Sequence, residues 1–304
     1  MIKKLLASFL AGTTIASFVG CGRPMPPDER YAPNLSRAEE IRTAFIGGGG
    51  ATAEESGGGS SAQPTGWATL TGVFTLDGPA PPRTPLSVTK DANICAPGGN
   101  APLSEELVVA GDGGVRDVLI FLNDAISPEE PWTHPSAAPG KSDEVVFDQK
   151  ECVFLSHVLA MQASQPLKIL NSDPTAHNTK MEPKANPPFN QNIGAGGEIL
   201  TQLPREEKAP FPVSCSVHPW MNAYIMVRDN GYFAVSADDG SFEIANLPAG
   251  VPLEFRVWQA AISFVQDVSV NGESAKWSKG RFTITLDPND PSKNRLEVKV
   301  KSPS

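Results

Sequence analysis

From Trp67 onward, short runs of apolar residues alternate with polar ones, the period-2 signature of strands that bury one face. Leu70 to Leu76, Val115 to Leu122, Val145 to Phe147, Val158 to Ala163, Leu167 to Leu170 and Ala223 to Val227 form a first group of predicted strands. In a second group Phe233 alternates with Val235, Phe242 with Ile244, and Leu253 with Phe255 and Val257. Phe282, Ile284 and Leu286 continue the pattern, and Leu296, Val298 and Val300 close it. Gly, Pro, Asp and Asn separate the runs at the spacing of all-β folds. The 27 glycines and 29 prolines among 304 residues leave no room for long helices or coiled coils. With 40% hydrophobic residues the chain fills two cores. The economical architecture is all-β: two β-sandwich domains in series, residues 67–228 and 229–304, with the break at Asp229-Asn230-Gly231.

The first 66 residues have a different texture. Lys3 and Lys4 precede an apolar stretch from Leu5 to Val19, too short for a stable membrane span and of the right form for an export signal over residues 1–20. Phe18-Val19-Gly20-Cys21 resembles the lipobox of bacterial lipoproteins. That resemblance implies cleavage before Cys21, lipidation of its thiol, and a cell-envelope protein anchored to a membrane and facing the periplasm or at the outer membrane. Residues 21–66 read as a flexible stalk, opened by Pro24, Pro26 and Pro27 and loosened by Gly47 to Gly50 and Gly57 to Gly59. Within it Ser36 and Glu39 stand at capping-box spacing ahead of Ile41, Ala44 and Phe45, which predicts one short helix. The glycine runs lack the preceding strand and the Lys-Ser/Thr pair of a phosphate loop.

The net charge is −9, and loss of Lys3 and Lys4 with the signal takes it to −11. Such a surface repels phosphate backbones, which argues against nucleic acid as a partner. Four cysteines are present. With Cys21 lipidated, Cys95 and Cys152 are the pair expected to form a disulfide in an oxidising compartment, which leaves Cys215.

Cys215 opens the densest chemistry in the chain, Cys215-Ser-Val-His218-Pro219-Trp-Met221. A thiolate, an imidazole and a thioether at three-residue intervals form a soft mixed donor set, which favours copper over magnesium or calcium; structural zinc rarely recruits methionine. Pro219 stiffens the turn. A further strong ligand is offered by His177 in Asn171-Ser-Asp-Pro-Thr-Ala-His177-Asn178, directly after a predicted strand. Taken singly, each of these residues reads as structural: Cys215 and Met221 as core filler, His177 and His218 as hydrogen-bonded loop residues. Their joint spacing favours one metal ion. His134 and His157 read as structural, with His157 the first residue to test if a second metal existed.

These residues resemble the type 1 copper pattern of cupredoxins, with a short amicyanin-like ligand loop. The resemblance covers roughly residues 153–228. It implies that His177, Cys215 and His218 hold one copper, that Met221 is a long axial ligand, and that Asn178 ties the two ligand loops together. It further implies single-electron transfer without catalysis, with His218 near the surface as the exit for the electron. A redox protein, favoured if basic, is the implied partner. Residues 67 to about 148 have no counterpart in a minimal cupredoxin.

Asp239-Gly240-Ser-Phe242-Glu-Ile244-Ala-Asn-Leu247-Pro-Ala-Gly250 resembles the carboxypeptidase regulatory-like, prealbumin- or carbohydrate-binding-like, β-sandwich. Relatives of that fold serve as accessory modules, which implies binding rather than catalysis; HExxH and G-x-S-x-G are absent from the chain. Trp258 and Trp277 are the candidates for stacking on cell-wall sugar. The alternative function is thus an envelope lipoprotein that binds carbohydrate or another protein through its sandwiches, with copper sequestered or absent.

Overall fold

The computed structural model describes residues 62–303. The export signal, Cys21 and the helix expected near Ser36 to Phe45 lie outside the described residues. Within them, nineteen strands, β1 to β19 in chain order, form four sheets, as the alternation predicts. One sheet runs β13 (Ser241–Ala249), β1 (Gly66–Asp77), β19 (Arg295–Lys301), β16 (Asp267–Val270) and β17 (Glu273–Lys276). Facing it is a sheet of β12 (Phe233–Val235), β2 (Leu119–Leu122), β14 (Pro252–Gln259) and β15 (Ser263–Phe264), with β18 (Arg281–Thr285) also paired to β14. A third sheet has the order β5 (Val158–Gln162), β11 (Asn222–Arg228), β10 (Phe211–Ser214), β7 (His177–Met181) and β8 (Phe189–Ile193). The fourth is β4 (Val153–Phe154), β3 (Val145–Lys150), β6 (Pro166–Asn171) and β9 (Glu198–Gln202).

Strand alternation distributes the apolar residues among three cores. Leu70 and Phe74 of β1 meet Ile120 and Leu122 of β2 and Phe255 and Val257 of β14 in the core of the first two sheets. Phe147, Leu167 and Ile169 meet Met161, Val213, Ala223 and Ile225 in the core of the other two. The third core lies between these sandwiches, where Leu119 and Phe121 of β2 pack with Val158, Met226 and Trp258. β2 is therefore apolar at every position, Leu-Ile-Phe-Leu, because both its faces are covered. β11 behaves alike: Ala223, Ile225 and Val227 face one core, while Met226 faces the other.

The chain order departs from two sandwiches in series with a break at 228/229. β1 pairs with β13 and in parallel with β19, and β2 lies between β12 and β14, so strands from before residue 123 complete the sandwich whose other strands follow residue 232. The sandwich bearing Cys215 is inserted between β2 and β12. Periodicity identifies a strand and its buried face, but it carries no information about a partner some 170 residues away. The Asp239-Gly240 turn does join two strands, β12 and β13; Gly240 has φ 78°, and a Cβ there would fall 2.1 Å from the Phe74 carbonyl oxygen.

Trp258 and Trp277 are buried, 7% and 5% exposed, so neither presents a ring face to a sugar. Trp277 stacks on Phe282 at 4.6 Å, and Trp258 meets Tyr224 edge-on at 4.8 Å. His134 is a loop residue bonded to Ser136 Oγ at 2.8 Å and set edge-on to Trp67, in keeping with a structural role.

Candidate metal centre

His177 opens β7, and Cys215 follows directly on β10, which pairs with β7 through Val213 opposite Met181. Adjacent strand ends thus bring the two loops together although 38 residues separate them in sequence. Cys215-to-Met221 closes on itself: the Met221 N–H donates to the His218 carbonyl at 3.0 Å and the Cys215 N–H to the Met221 carbonyl at 3.2 Å. Asn178 joins the loops as expected, its backbone N–H donating to Cys215 Sγ at 3.2 Å and its Oδ1 accepting from the Ser216 N–H at 3.2 Å. Its Nδ2 donates to Asn190 Oδ1 at 2.8 Å, Gln191 O at 3.1 Å and Asn192 Oδ1 at 3.1 Å, anchoring the joint to β8.

Three of the expected ligands converge. His177, Cys215 and His218 are buried, and one donor atom from each lies within 4.8 Å of the others. The two Nδ1 atoms are 2.8 Å apart and Cys215 Sγ is 3.8 Å from His218 Nδ1. Such spacings suit one ion with bonds of roughly 2.0 Å to nitrogen and roughly 2.3 Å to sulfur. Met221 is buried in the same core as Cys215.

The outer nitrogens face carboxylates. His177 Nε2 lies 2.6 Å from Asp173 Oδ2, and His218 Nε2 lies 2.9 Å from Asp91 Oδ2. A carboxylate accepts, so each Nε2 carries a hydrogen, and a neutral ring then turns its Nδ1 lone pair inward. Two such Nδ1 atoms 2.8 Å apart beside a thiol sulfur are held together by a shared proton or by a metal ion. The residues present therefore fit a soft metal ion on their own chemistry.

Neither carboxylate was singled out by sequence reasoning. Asp173 stands four residues before His177 and also accepts from the N–H groups of Glu151 at 2.7 Å and Cys152 at 2.8 Å. Both of those residues have positive φ, 55° and 56°, in the tight turn between β3 and β4, so Asp173 holds together a strained turn and a ligand. The signal for it in the sequence is an acid four residues before a candidate ligand histidine. Asp91 comes from far outside the ligand loops, and nothing local marks it.

The disulfide is formed as expected between Cys95 and Cys152, and Cys215 is a free, buried thiol. Cys152 also lies near Asp173 and His177, but its sulfur is bonded and does not act as a thiolate ligand. His218 is not near the surface: it is fully buried, and Asp91 covers its outer edge. His157 is buried outside the convergent group, beside Trp220 and Met221, with Nδ1 3.1 Å from the Asn222 carbonyl.

Two outcomes follow for the centre. Replacing Asn178 by alanine removes the acceptor for Ser216 N–H and three donor contacts, and should lower stability by about 1–3 kcal/mol; chemical denaturation of the metal-free protein measures it, and an unchanged midpoint contradicts the bracing role. Burial pushes the His177 imidazolium below its ordinary pKa, against the pull of Asp173. The unfolded chain then takes up that proton first as pH falls, so the metal-free protein should lose stability below about pH 6.5. Denaturation midpoints that stay flat from pH 8 to 5 would exclude this.

No protein-family model matches the chain, and no curated protein matches it. Among solved structures it is similar to amicyanin from Paracoccus versutus, at 14% identity and TM-score 0.26 over 36% of this chain and 97% of that one. It is similar to a purple cupredoxin from Nitrosopumilus maritimus at 16% identity and TM-score 0.23, over 28% of this chain and 97% of the other. A third similarity, at 19% identity and TM-score 0.26, is to the Cu-containing nitrite reductase of Thermus scotoductus SA-01 and spans 31% of this chain but 24% of that one.

Proposed function

We propose that the chain holds one copper ion between His177 Nδ1, Cys215 Sγ and His218 Nδ1, with Met221 as a weak further ligand, and carries single electrons. The observation behind this reading is the convergence of two Nδ1 atoms 2.8 Å apart beside a buried thiol, with a carboxylate on the outer nitrogen of each ring. Copper with these donors supplies a one-electron couple. The chain's own contribution is a donor set that is held still. His177 is oriented by Asp173, His218 by Asp91, and Cys215 by the Asn178 N–H. Trp220 Nε1–H in the ligand loop donates to the Cys152 carbonyl at 3.1 Å. A frame braced at each ligand changes little between oxidation states, which keeps reorganisation small and suits a carrier.

The setting we propose is the cell envelope, with export by residues 1–20 and a lipid anchor at Cys21. A disulfide at Cys95–Cys152 supports an oxidising compartment. Among the described residues no helix is long and apolar enough to cross a membrane. The acidic net charge favours a basic redox partner. Metal analysis with voltammetry tests the reading: one copper per chain with a reversible one-electron wave is expected, copper without a wave leaves only sequestration, and protein that binds no copper refutes it.

A further inference from the structure

The His218 side of the centre is shut by a segment that belongs to none of the four sheets. Its two ends are clasped together. Pro85 bridges Leu103, the Leu86 N–H donates to Pro102 O at 2.8 Å, and the Ser104 N–H donates to Thr84 O at 2.8 Å. The Arg83 guanidinium donates to the Ser104 and Leu103 carbonyls at 2.8 and 3.0 Å. Between these ends Leu86, Val88 and Ile94 pack as half-buried residues against the core that contains Cys215. At the tip Asp91, with φ 51°, precedes the one-turn helix Ala92–Cys95. An aspartate in that position ordinarily caps the helix, yet this side chain makes no capping bond. It accepts from His218 Nε2 instead, and His218 is completely buried beneath it.

The same segment is latched to the far side of the centre. Cys95 is bonded to Cys152, whose N–H donates to Asp173 and whose carbonyl accepts from Trp220. One covalent bond therefore joins the piece that covers His218 to the piece that orients His177 and braces the ligand loop. Without it the lid is held by three half-buried aliphatic side chains and one partly exposed carboxylate.

We propose that residues 84–104 form a disulfide-latched lid over the His218 edge, and that reduction of Cys95–Cys152 by a dithiol opens it and admits a redox partner or a copper acceptor to that edge. Both cysteines are buried, so reduction runs through a transient local opening in which one reductant thiolate attacks a sulfur of the bridge, its second thiolate resolves the mixed disulfide, and the reductant leaves as its own cyclic disulfide. Two electrons and two protons reach Cys95 and Cys152, which end as thiols. The role of the lid rests on the reading of the centre as a metal site, but its opening is a property of the metal-free chain.

Deuterium exchange at the imidazole C2 position, followed by mass spectrometry on the metal-free full chain, reads the opening directly. Exchange at His218 should be slow in the oxidised protein. It should quicken about tenfold after treatment with dithiothreitol, and likewise in the Cys95→Ser/Cys152→Ser variant, as expected for a locally opened segment. His134, half-buried against Trp67 and bonded to Ser136, touches no part of the lid, should keep its rate and serves as the control. Equal His218 rates with the bridge intact and broken overturn the lid, as does a rise at His134 that matches the rise at His218. The copper-loaded Cys95→Ser/Cys152→Ser variant should lose copper to a chelator faster than the copper-loaded parent. A chain that takes up no copper yet shows the selective His218 response rejects the metal reading and leaves the lid standing.

Discussion

Replacement of Cys215 by serine should abolish the intense thiolate-to-copper visible absorption of the copper-loaded protein while leaving the metal-free fold close to intact. The absorption requires a sulfur that donates charge to Cu(II); a serine hydroxyl stays protonated near neutral pH and is a hard, weak donor. The fold should tolerate the change because Cys215 Sγ has one protein hydrogen-bond donor, the Asn178 N–H, and a serine oxygen accepts from it equally well. Folding midpoints of the metal-free variant should stay within about 1 kcal/mol of the parent, since one small buried group replaces another of similar volume. Copper affinity should fall steeply, because two imidazoles remain without the anionic sulfur. Visible spectroscopy during copper titration, with thermal unfolding of the metal-free pair, measures both effects. A variant that retains the band would place the copper elsewhere.

The second large effect is on stability. Converting Cys95 and Cys152 to alanine should destabilise the protein by about 4 kcal/mol on the chain-entropy model, because the bridge spans 57 residues and closes a long loop in the unfolded chain. Both cysteines are buried, so alanine leaves no exposed apolar group. Against a typical stability of about 5–15 kcal/mol such a loss is a large fraction of the whole. For a unit of this size it corresponds to a melting temperature lower by about 10 °C. Circular dichroism melts of the metal-free proteins check it. A shift below about 2 °C would mean that the inserted sandwich and its lid hold together without the bridge.

Much of this molecule was legible in its residues. β1, β14 and β19 bury alternate side chains, and the phase of the pattern reads directly as the inward face. The convergence of His177, Cys215 and His218 was legible because these residues are chemically unusual at their spacing, and because strand ends that pair in a sheet bring their loops together. Other strands carried little signal. β8 reads Phe-Asn-Gln-Asn-Ile and is mostly exposed, and β7 carries polar residues inward because its side chains belong to the centre. The pairing of β1 with β13 and β19 depends on contacts far apart along the chain, which periodicity does not encode. Asp173 was within reach, since a carboxylate near a ligand histidine commonly orients it. Asp91 was not, because its role depends on a clasped segment folding over the ligand loop. That segment also reversed one expectation: the cupredoxin pattern implies an accessible edge on His218, and here a carboxylate occupies it.

If Nδ1 of His177, Sγ of Cys215 and Nδ1 of His218 share one metal ion, anomalous diffraction at the copper absorption edge from crystals of the copper-loaded protein should show it. A single strong peak within bonding distance of all three atoms is expected. A peak bound elsewhere on the chain, or no peak with these side chains still bonded to one another, would contradict it.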